Sequence, residues 1–183
     1  IFRTSSTRET FAGWAGSWEA DLTSRGFGVR SGFTFPSISG GLSSLAHAEL
    51  LSGVEVRTRR AFDRLLASEL TPLPHHFDAA GYRALNVQPA TSEEWPEGKF
   101  FGFTEDIFFH AFPYDGHVYH WGFMPDQFAL AYLLHEEIRN TSEPLFVQYI
   151  SVTSHAPFSM IPPLYRDWEE ARDPASYRRE PAK

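Results

Sequence analysis

Three short segments carry side chains whose types and order suit chemistry on an anionic ester. The first, GGLSSLAH at residues 40–47, offers two adjacent hydroxyls, Ser43 and Ser44, where a glycine turn runs into an apolar helical stretch. Unpaired backbone N–H groups and the helix dipole at such a start favour an anion or a developing alkoxide. In the alternative interpretation, one of the serines only caps the helix. The segment is not a G-x-S-x-G elbow, so a Ser-His-Asp hydrolase is not indicated.

The other two segments, QPATSEEWPEGK and VTSHAPF, each follow a predicted strand. His155 lies in VTSHAPF, where a histidine can donate to a phosphate or sulfate oxygen or serve as a general acid. The alternative is a structural histidine bonded to a loop carbonyl. Trp95 and Lys99 would place an indole and a cation at the mouth of a site. The alternative for Trp95 is an aromatic lid that packs on its neighbours Phe100, Phe101 and Phe103.

The remaining histidines are interpreted differently. His47 lies inside the short helix that follows the serines, and the sequence favours a core histidine there. The adjacent pair at 75–76 lacks the i, i+4 spacing of a shared helical metal site. His110, His117 and His120 alternate with aromatic residues and could form an imidazole cluster for a metal, but no carboxylate stands at a diagnostic spacing.

The composition bounds the class of protein. A length of 183 residues suits one domain with a sizeable core, and no apolar run approaches the roughly 18 residues that a membrane-spanning helix needs. A net charge of −7 without any Lys/Arg patch argues against nucleic-acid binding. The lack of cysteine excludes disulfides, thiolate metal sites and cysteine nucleophiles. The N-terminal stretch IFRTSSTRET is polar from its third residue and does not have the pattern of a signal peptide.

Hydrophobic periodicity and turn residues predict the elements that must position these segments. The predicted helices are 10–25, 44–51, 59–70, 74–81 and 126–140, the last with Asp126 as N-cap, and the predicted strands lie within 27–35, 82–89 and 144–152. Residues 88–125 show no clean period and are predicted to form a loop that is functional or hides short elements. This alternation predicts an α/β domain with a mostly parallel sheet, whose carboxyl edge would gather all three segments.

Four strings, taken in order, resemble a known family: SGGLSSLAHAELLSG, FDAAGYRALNVQPATSEEWPEGKFFGF, WGFMPDQFAL and PLFVQYISVTSHAPF. The family is the bacterial sulfatase-like hydrolases and transferases of the alkaline phosphatase superfamily, which include phosphoglycerol transferases of the lipoteichoic-acid-synthase type. The resemblance spans roughly residues 25–168. It implies a three-layer α/β/α sandwich with a mostly parallel central sheet. It also implies a serine or threonine nucleophile that coordinates a divalent metal (Mn, Mg, Ca or Zn) and passes a phospho or sulfo group to water or an alcohol.

The resemblance assigns roles to particular residues. The family pattern G-G-x-S-W-L-A-H places the nucleophile, which is also a metal ligand, at Ser43; Ser44 stands where the pattern has tryptophan and is the second choice. His155 matches a histidine that contacts the transferred anion. Trp95 matches a tryptophan of the substrate pocket; Lys99 is a further candidate binding residue because of its place in the same segment, and not through the resemblance. Pro96 and Glu97 stand where the transferases have an arginine, which speaks against a glycerol-phosphate substrate.

Two family features are missing from the sequence. An acidic ligand in an E-S-x-G-like segment before the nucleophile is absent, because Glu9 lacks a preceding apolar strand, and no Asp-His pair follows the TSHAPF motif. The chain is therefore expected to be an internal fragment: an incomplete catalytic domain over 1–168 and a charged tail over 169–183. The fragment alone is expected to be inactive, and its parent to be membrane-anchored and extracytoplasmic.

The expected function is a metal-dependent phospho- or sulfo-ester hydrolase or transferase, acting on a small anionic ester or a lipid- or glycan-linked substrate. The missing ligands motivate an alternative, a non-catalytic anion- or glycan-binding module on the same scaffold. A purely structural α/β fragment, in which the serines only cap a helix, is the third hypothesis.

Overall fold

A computed structural model describes residues 5–30, 38, 42–93, 95–119, 124–153, 155 and 160–178. They fall into two compact units, one that includes the described residues up to 38 and one that includes those from 42 onward. The first unit contains helix α1, Ser5–Ser24, which begins five residues before the predicted start. The rings of Trp14 and Trp18 lie 4.9 Å apart on α1, as their four-residue spacing predicts. Of the strand predicted within 27–35, residues 27–30 are not in a strand, and the rest lies outside the described residues.

The described part of the second unit contains the predicted helices and strands in the predicted order, and also two short helices and one strand that were not predicted. Its helices are α2 (Ser43–Ser52), α3 (Arg59–Leu66), α4 (Leu73–Ala79), α5 (Gly98–Phe101), α6 (Asp126–Leu133) and α7 (Trp168–Arg172). Its strands are β1 (Arg83–Gln88), β2 (Glu105–Phe108) and β3 (Leu145–Tyr149). Helix α6 continues as a π-helical turn, Leu134–Ile138, and two 3₁₀ turns cover Phe109–Ala111 and Pro174–Tyr177.

The three strands form one sheet in the order β2-β1-β3, and both pairings are parallel. The prediction of an α/β fold with a parallel sheet is therefore confirmed. Strand β2 lies in the stretch that was predicted to be irregular. It has only four residues, two of them acidic, and only Ile107 is buried, so no alternating pattern marks it in the sequence.

Side chains alternate between the two faces of the sheet, and a helix packs on each face. On one face, Leu85 and Val87 join Phe128 of α6 in a single buried core cluster. On the other face, Phe146 stacks on Phe77 of α4 with 4.3 Å between ring centroids. Asn86 also points to this second face, because it alternates with Leu85 and Val87 along β1.

The end of the described chain contributes to the core. Tyr177 is fully buried in the core cluster and packs edge-to-face on Tyr165, with ring centroids 5.2 Å apart. The hydroxyl of Tyr165 donates to the carbonyl of Ser176 at 2.6 Å. Tyr177 lies in the segment predicted to be a charged tail on the surface, so part of that segment is core. A single aromatic among charged residues gives no period from which to predict this.

A glycine at the end of α5 has no room for a side chain. Gly102 has a φ of +77°, and a Cβ on it would overlap the imidazole of His75, which lies 3.2 Å from the carbonyl oxygen of Phe100. Gly81 has a similar φ of +85° but faces open space. Both glycines therefore require a positive φ, and they differ only in the space available for a Cβ atom.

This difference predicts unequal costs for two alanine substitutions. Gly81→Ala is expected to lower the free energy of unfolding by roughly 1–2 kcal/mol, the cost of a left-handed backbone. Gly102→Ala should lower it by about 1–3 kcal/mol more, because the added methyl must displace the His75 ring. Urea denaturation of both variants measures the difference. Equal losses would show that the contact with His75 carries no energetic cost.

Candidate functional site

Two of the three predicted segments leave neighbouring strands at the same edge of the sheet. Strand β1 ends at Gln88 and leads to Trp95, and β3 ends at Tyr149 and leads to His155. Because these strands are parallel neighbours, both segments start at the carboxyl edge, where open α/β sheets bind ligands. The strand predicted to precede the serine segment lies mostly outside the described residues, and α2, which carries Ser43, contacts α3 and α4.

A cavity of about 690 Å³ opens beside the ends of β1 and β2. This volume is within the range of small-molecule sites. The described residues that line it are Ser92, Glu93, Trp95, Pro96, Lys99, Asp106, Phe108 and His110. Trp95 and Lys99, predicted to share a pocket, do share it. Among the described residues its lining includes neither serine of α2 nor His155.

Local sequence explains how Trp95 is held at this cavity. Its indole packs against Phe101 with ring centroids 5.3 Å apart and planes inclined by 16°. On the side of Gly98, a Cβ would approach the indole to 2.9 Å, so only glycine lets the ring lie this close to the backbone. The half-buried Trp95 thus packs on an aromatic neighbour and also lines the cavity, and the two interpretations of it are compatible.

A row of polar side chains crosses all three strands next to the cavity. The pairing register puts Asn86 of β1 opposite Asp106 of β2 and opposite Gln148 of β3. Asn86 is fully buried; its Nδ2 donates to Asp106 Oδ1 at 2.7 Å. Its Oδ1 accepts from Gln148 Nε2 at 3.0 Å and from Gln88 Nε2 at 2.9 Å. Parallel strands covered on both faces are usually aliphatic, so this row is unusual. Asp106 lies in β2 and His110 lies in the turn that follows it, so pairing of β2 with β1 brings both residues to the candidate site.

The loop that carries His155 is tied to the start of α6 by Asp126. One carboxylate oxygen, Oδ2, accepts from the backbone N–H of Val152 at 2.9 Å and of Thr153 at 2.7 Å. In return, the backbone N–H of Asp126 donates to Thr153 Oγ1 at 2.8 Å. The predicted N-cap role of Asp126 is wrong: Pro125 is the N-cap, and Asp126 is the first helical residue. Its carboxylate is engaged by the loop instead.

Two further contacts complete this junction. The Tyr149 hydroxyl donates to Asp126 Oδ1 at 3.0 Å, and burial, reinforced by that carboxylate, raises the pKa of Tyr149 well above its usual range. The phenol therefore remains a donor at any physiological pH. Beyond the junction, the backbone N–H of His155 donates to the carbonyl of Val152 at 2.9 Å, which closes a turn and leaves His155 exposed.

Helix α2 begins at Ser43, and neither serine caps it. The N-cap is Leu42, without a side-chain capping bond, so the interpretation of a serine as the cap is wrong. Ser43 and Ser44 are both exposed in the first helical turn. There the unpaired N–H groups of the helix start are nearest. Their hydroxyls remain candidates for chemistry.

The described residues include no group of three or more His, Asp or Glu side chains that could hold a metal ion. His110 and His117 belong to no such group, and His120 lies outside the described residues. These side chains therefore do not by themselves supply the divalent-metal site that the resemblance implies. The membership of Ser43 in such a site stays a prediction.

Comparisons with known proteins do not identify a family. A scan against protein-family models finds no match, and searches of curated proteins and of solved structures find none either. Among the helices of the described chain, none is both long and apolar enough to cross a membrane, in agreement with the prediction. The resemblance to sulfatase-like enzymes stays a prediction.

The junction at Asp126 predicts a local change in hydrogen exchange. Asp126→Ala should speed exchange of the Val152 and Thr153 backbone amides by about tenfold or more, because hydrogen bonds to a carboxylate are among the strong ones. Asp167→Ala is the matched control, since the Asp167 side chain accepts from Glu169 N at the start of α7. The control should leave Val152 and Thr153 unchanged. Unaltered exchange in Asp126→Ala would mean that the carboxylate does not hold the loop.

His47 predicts how stability depends on pH. Burial of this half-buried side chain in α2 lowers its pKa below the ordinary value. The folded state thus disfavours the proton, and His47 contributes stability that is present above about pH 6.5 and is lost as the pH falls through the lowered pKa. Urea unfolding at pH 7.5 and 5.5 should show a smaller pH-dependent loss for His47→Gln than for the wild type. An identical loss would refute this contribution.

Proposed function

We propose that this chain is part of a metal-dependent phospho- or sulfo-ester hydrolase or transferase, with Ser43 as nucleophile. One observation carries the proposal: the loops after the parallel neighbours β1 and β3 start at one edge of the sheet. The first brings Trp95 and Lys99 into a cavity, and the second ends at exposed His155. A shared sheet edge for these two loops supports a substrate pocket and an anion contact of the kind that the sulfatase-like resemblance implies.

In this reaction the Ser43 hydroxyl oxygen attacks the phosphorus or sulfur atom, and the bond to the leaving alcohol oxygen breaks. The Ser43 proton is released, and the alcohol leaves with a proton. Water or an acceptor alcohol then attacks the phospho- or sulfo-serine and regenerates the hydroxyl. The N–H groups of the first turn of α2 favour the negative charge at this position. His155 would donate to a non-bridging oxygen of the transferred group.

The divalent metal of the proposal would lower the pKa of the serine hydroxyl when bound. Among the described residues no group of three or more His, Asp or Glu side chains could hold it, and Ser43 is the ligand that the resemblance implies. The complete α/β/α sandwich, the extracytoplasmic location and a lipid- or glycan-linked substrate belong to the same proposal. They come from the resemblance alone.

Activity of serine variants tests the proposal. In the longest natural chain that contains these 183 residues, with Mn²⁺ added, turnover of a chromogenic phosphodiester and of a sulfate ester is measured. Ser43→Ala should lower kcat by at least about 1000-fold, because loss of a nucleophile removes the covalent route. Ser44→Ala, an equal truncation one residue away, should stay within about threefold of the wild type. Equal turnover by the wild type and Ser43→Ala would exclude Ser43 as the nucleophile.

A second candidate is a non-catalytic module that binds an anion or a glycan. The cavity favours it, because the described lining brings an indole, an ammonium and polar side chains together. Such a module would bind ligands at the Trp95 cavity with no turnover in either assay, even in the longest chain. Turnover that depends on Ser43 would exclude it.

A further inference from the structure

We propose that Asp106 is a ligand-binding residue of the 690 Å³ cavity and that it accepts hydrogen bonds from ligand hydroxyl groups. The ligand class is then a hydroxyl-rich monoester, a sugar with one phosphate or sulfate. This inference rests on the proposed function, because it names the substrate class that Trp95 and Lys99 would bind. It adds a residue that neither the motifs nor the resemblance assigns.

The polar row fixes the orientation of the Asp106 carboxylate. An ionised carboxylate only accepts hydrogen bonds, so Asn86 must turn its Nδ2 toward Asp106 Oδ1. Asn86 Oδ1 is then turned to the two glutamine donors, Gln88 and Gln148. The orientation of each amide group is therefore set by its hydrogen-bond partner, and the chain of hydrogen bonds ends at Asp106 Oδ1. Among the described residues Asp106 makes no hydrogen bond through its second oxygen, Oδ2, so this oxygen is available to a ligand in the cavity that Asp106 lines.

Energetics support an orienting role for Asn86. A buried amide costs free energy unless it is fully hydrogen-bonded, and Asn86 has no exposed surface. An aliphatic side chain would fill the same space without that cost. What the asparagine adds is a short bond, 2.7 Å, that holds an otherwise exposed carboxylate in place. Asn86 is thus a positioning residue for Asp106.

The charges in the lining decide which ligand fits. Two carboxylates, Glu93 and Asp106, oppose one lysine, Lys99, and one histidine, His110. This mixture disfavours a small anion such as inorganic phosphate, because a fixed carboxylate repels it and the anion has no alcohol hydroxyls to donate to that carboxylate. A molecule with many hydroxyls and one anionic group satisfies both signs: hydroxyls donate to Asp106, and the anion pairs with Lys99. The indole of Trp95 provides an apolar face for the C–H surface of a sugar ring.

Asp106→Asn tests this without disturbing the row. The new amide oxygen still accepts from Asn86, while the group that faces the cavity changes from an acceptor to an N–H donor. Glucose 1-phosphate and inorganic phosphate are the probes, and binding is followed by the NMR signal of the Trp95 indole N–H, identified by its loss in Trp95→Phe. Glucose 1-phosphate should bind roughly 10- to 100-fold more weakly to Asp106→Asn, as expected for a lost hydrogen bond to a charged group. Inorganic phosphate should bind as before or more tightly, because a negative charge is gone.

Glu105→Gln is the matched control, since it makes the same carboxylate-to-amide change one residue earlier on β2, at a side chain that pairs with Arg83 and is not among the described residues of the lining. It should change glucose 1-phosphate affinity by less than about threefold, because side chains alternate along a strand and Glu105 lies on the opposite face from Asp106. Equal weakening by Glu105→Gln and Asp106→Asn would overturn the inference, as would a parallel loss for both probes in Asp106→Asn. Failure of the wild type to bind glucose 1-phosphate would overturn it as well.

These outcomes are distinguishable from failure of the proposed function. The titrations require no turnover, so they report on Asp106 whether or not Ser43 is a nucleophile. An active Ser43→Ala variant would refute the nucleophile and leave the binding result standing. A negative titration would refute the ligand class and leave the serine result standing.

Discussion

Strand β1 pairs in parallel with β2 on one side and with β3 on the other, with Asn86 opposite both Asp106 and Gln148. Because its side chains alternate, one face of β1 packs in the core and the other carries the polar row. Leu85 and Val87 enter the core cluster, and Asn86 lies on the opposite face, in the polar row. Because parallel strands all end at one edge, the same pairing also directs the loops after β1 and β3 to the cavity edge. Core packing and the candidate site thus depend on one register.

Sequence patterns predicted this architecture where a pattern exists. The apolar runs around β1 and β3 and the periodic stretch of α6 predicted their elements within a few residues. Strand β2 was missed, because only Ile107 of its four residues is buried and tertiary pairing rather than local preference makes it a strand. The same omission hid three of the eight described residues that line the cavity, since Asp106 and Phe108 come from β2 and His110 follows directly.

The role of Asp126 shows a second kind of limit. An acidic residue after proline and before an apolar stretch has the local signature of a helix cap, and the sequence contains nothing to distinguish that from another role. The carboxylate instead bonds the backbone of Val152 and Thr153, 26 and 27 residues later in the chain. The backbone N–H groups that reach the Asp126 carboxylate are those that follow the end of β3, and the position of that end depends on the fold.

In the proposed function, recognition and chemistry lie on different elements of this molecule. Side chains from β2 and the β1–α5 segment form the cavity, while the serine hydroxyls belong to α2 and His155 to the loop that Asp126 holds. A rigid acceptor at Asp106 selects hydroxyls whether or not the bound ester reacts, and an exposed serine at a helix start favours anions whether or not a sugar is present. The binding module and the enzyme would therefore share one cavity and differ at α2, so binding and turnover must be measured separately to tell them apart.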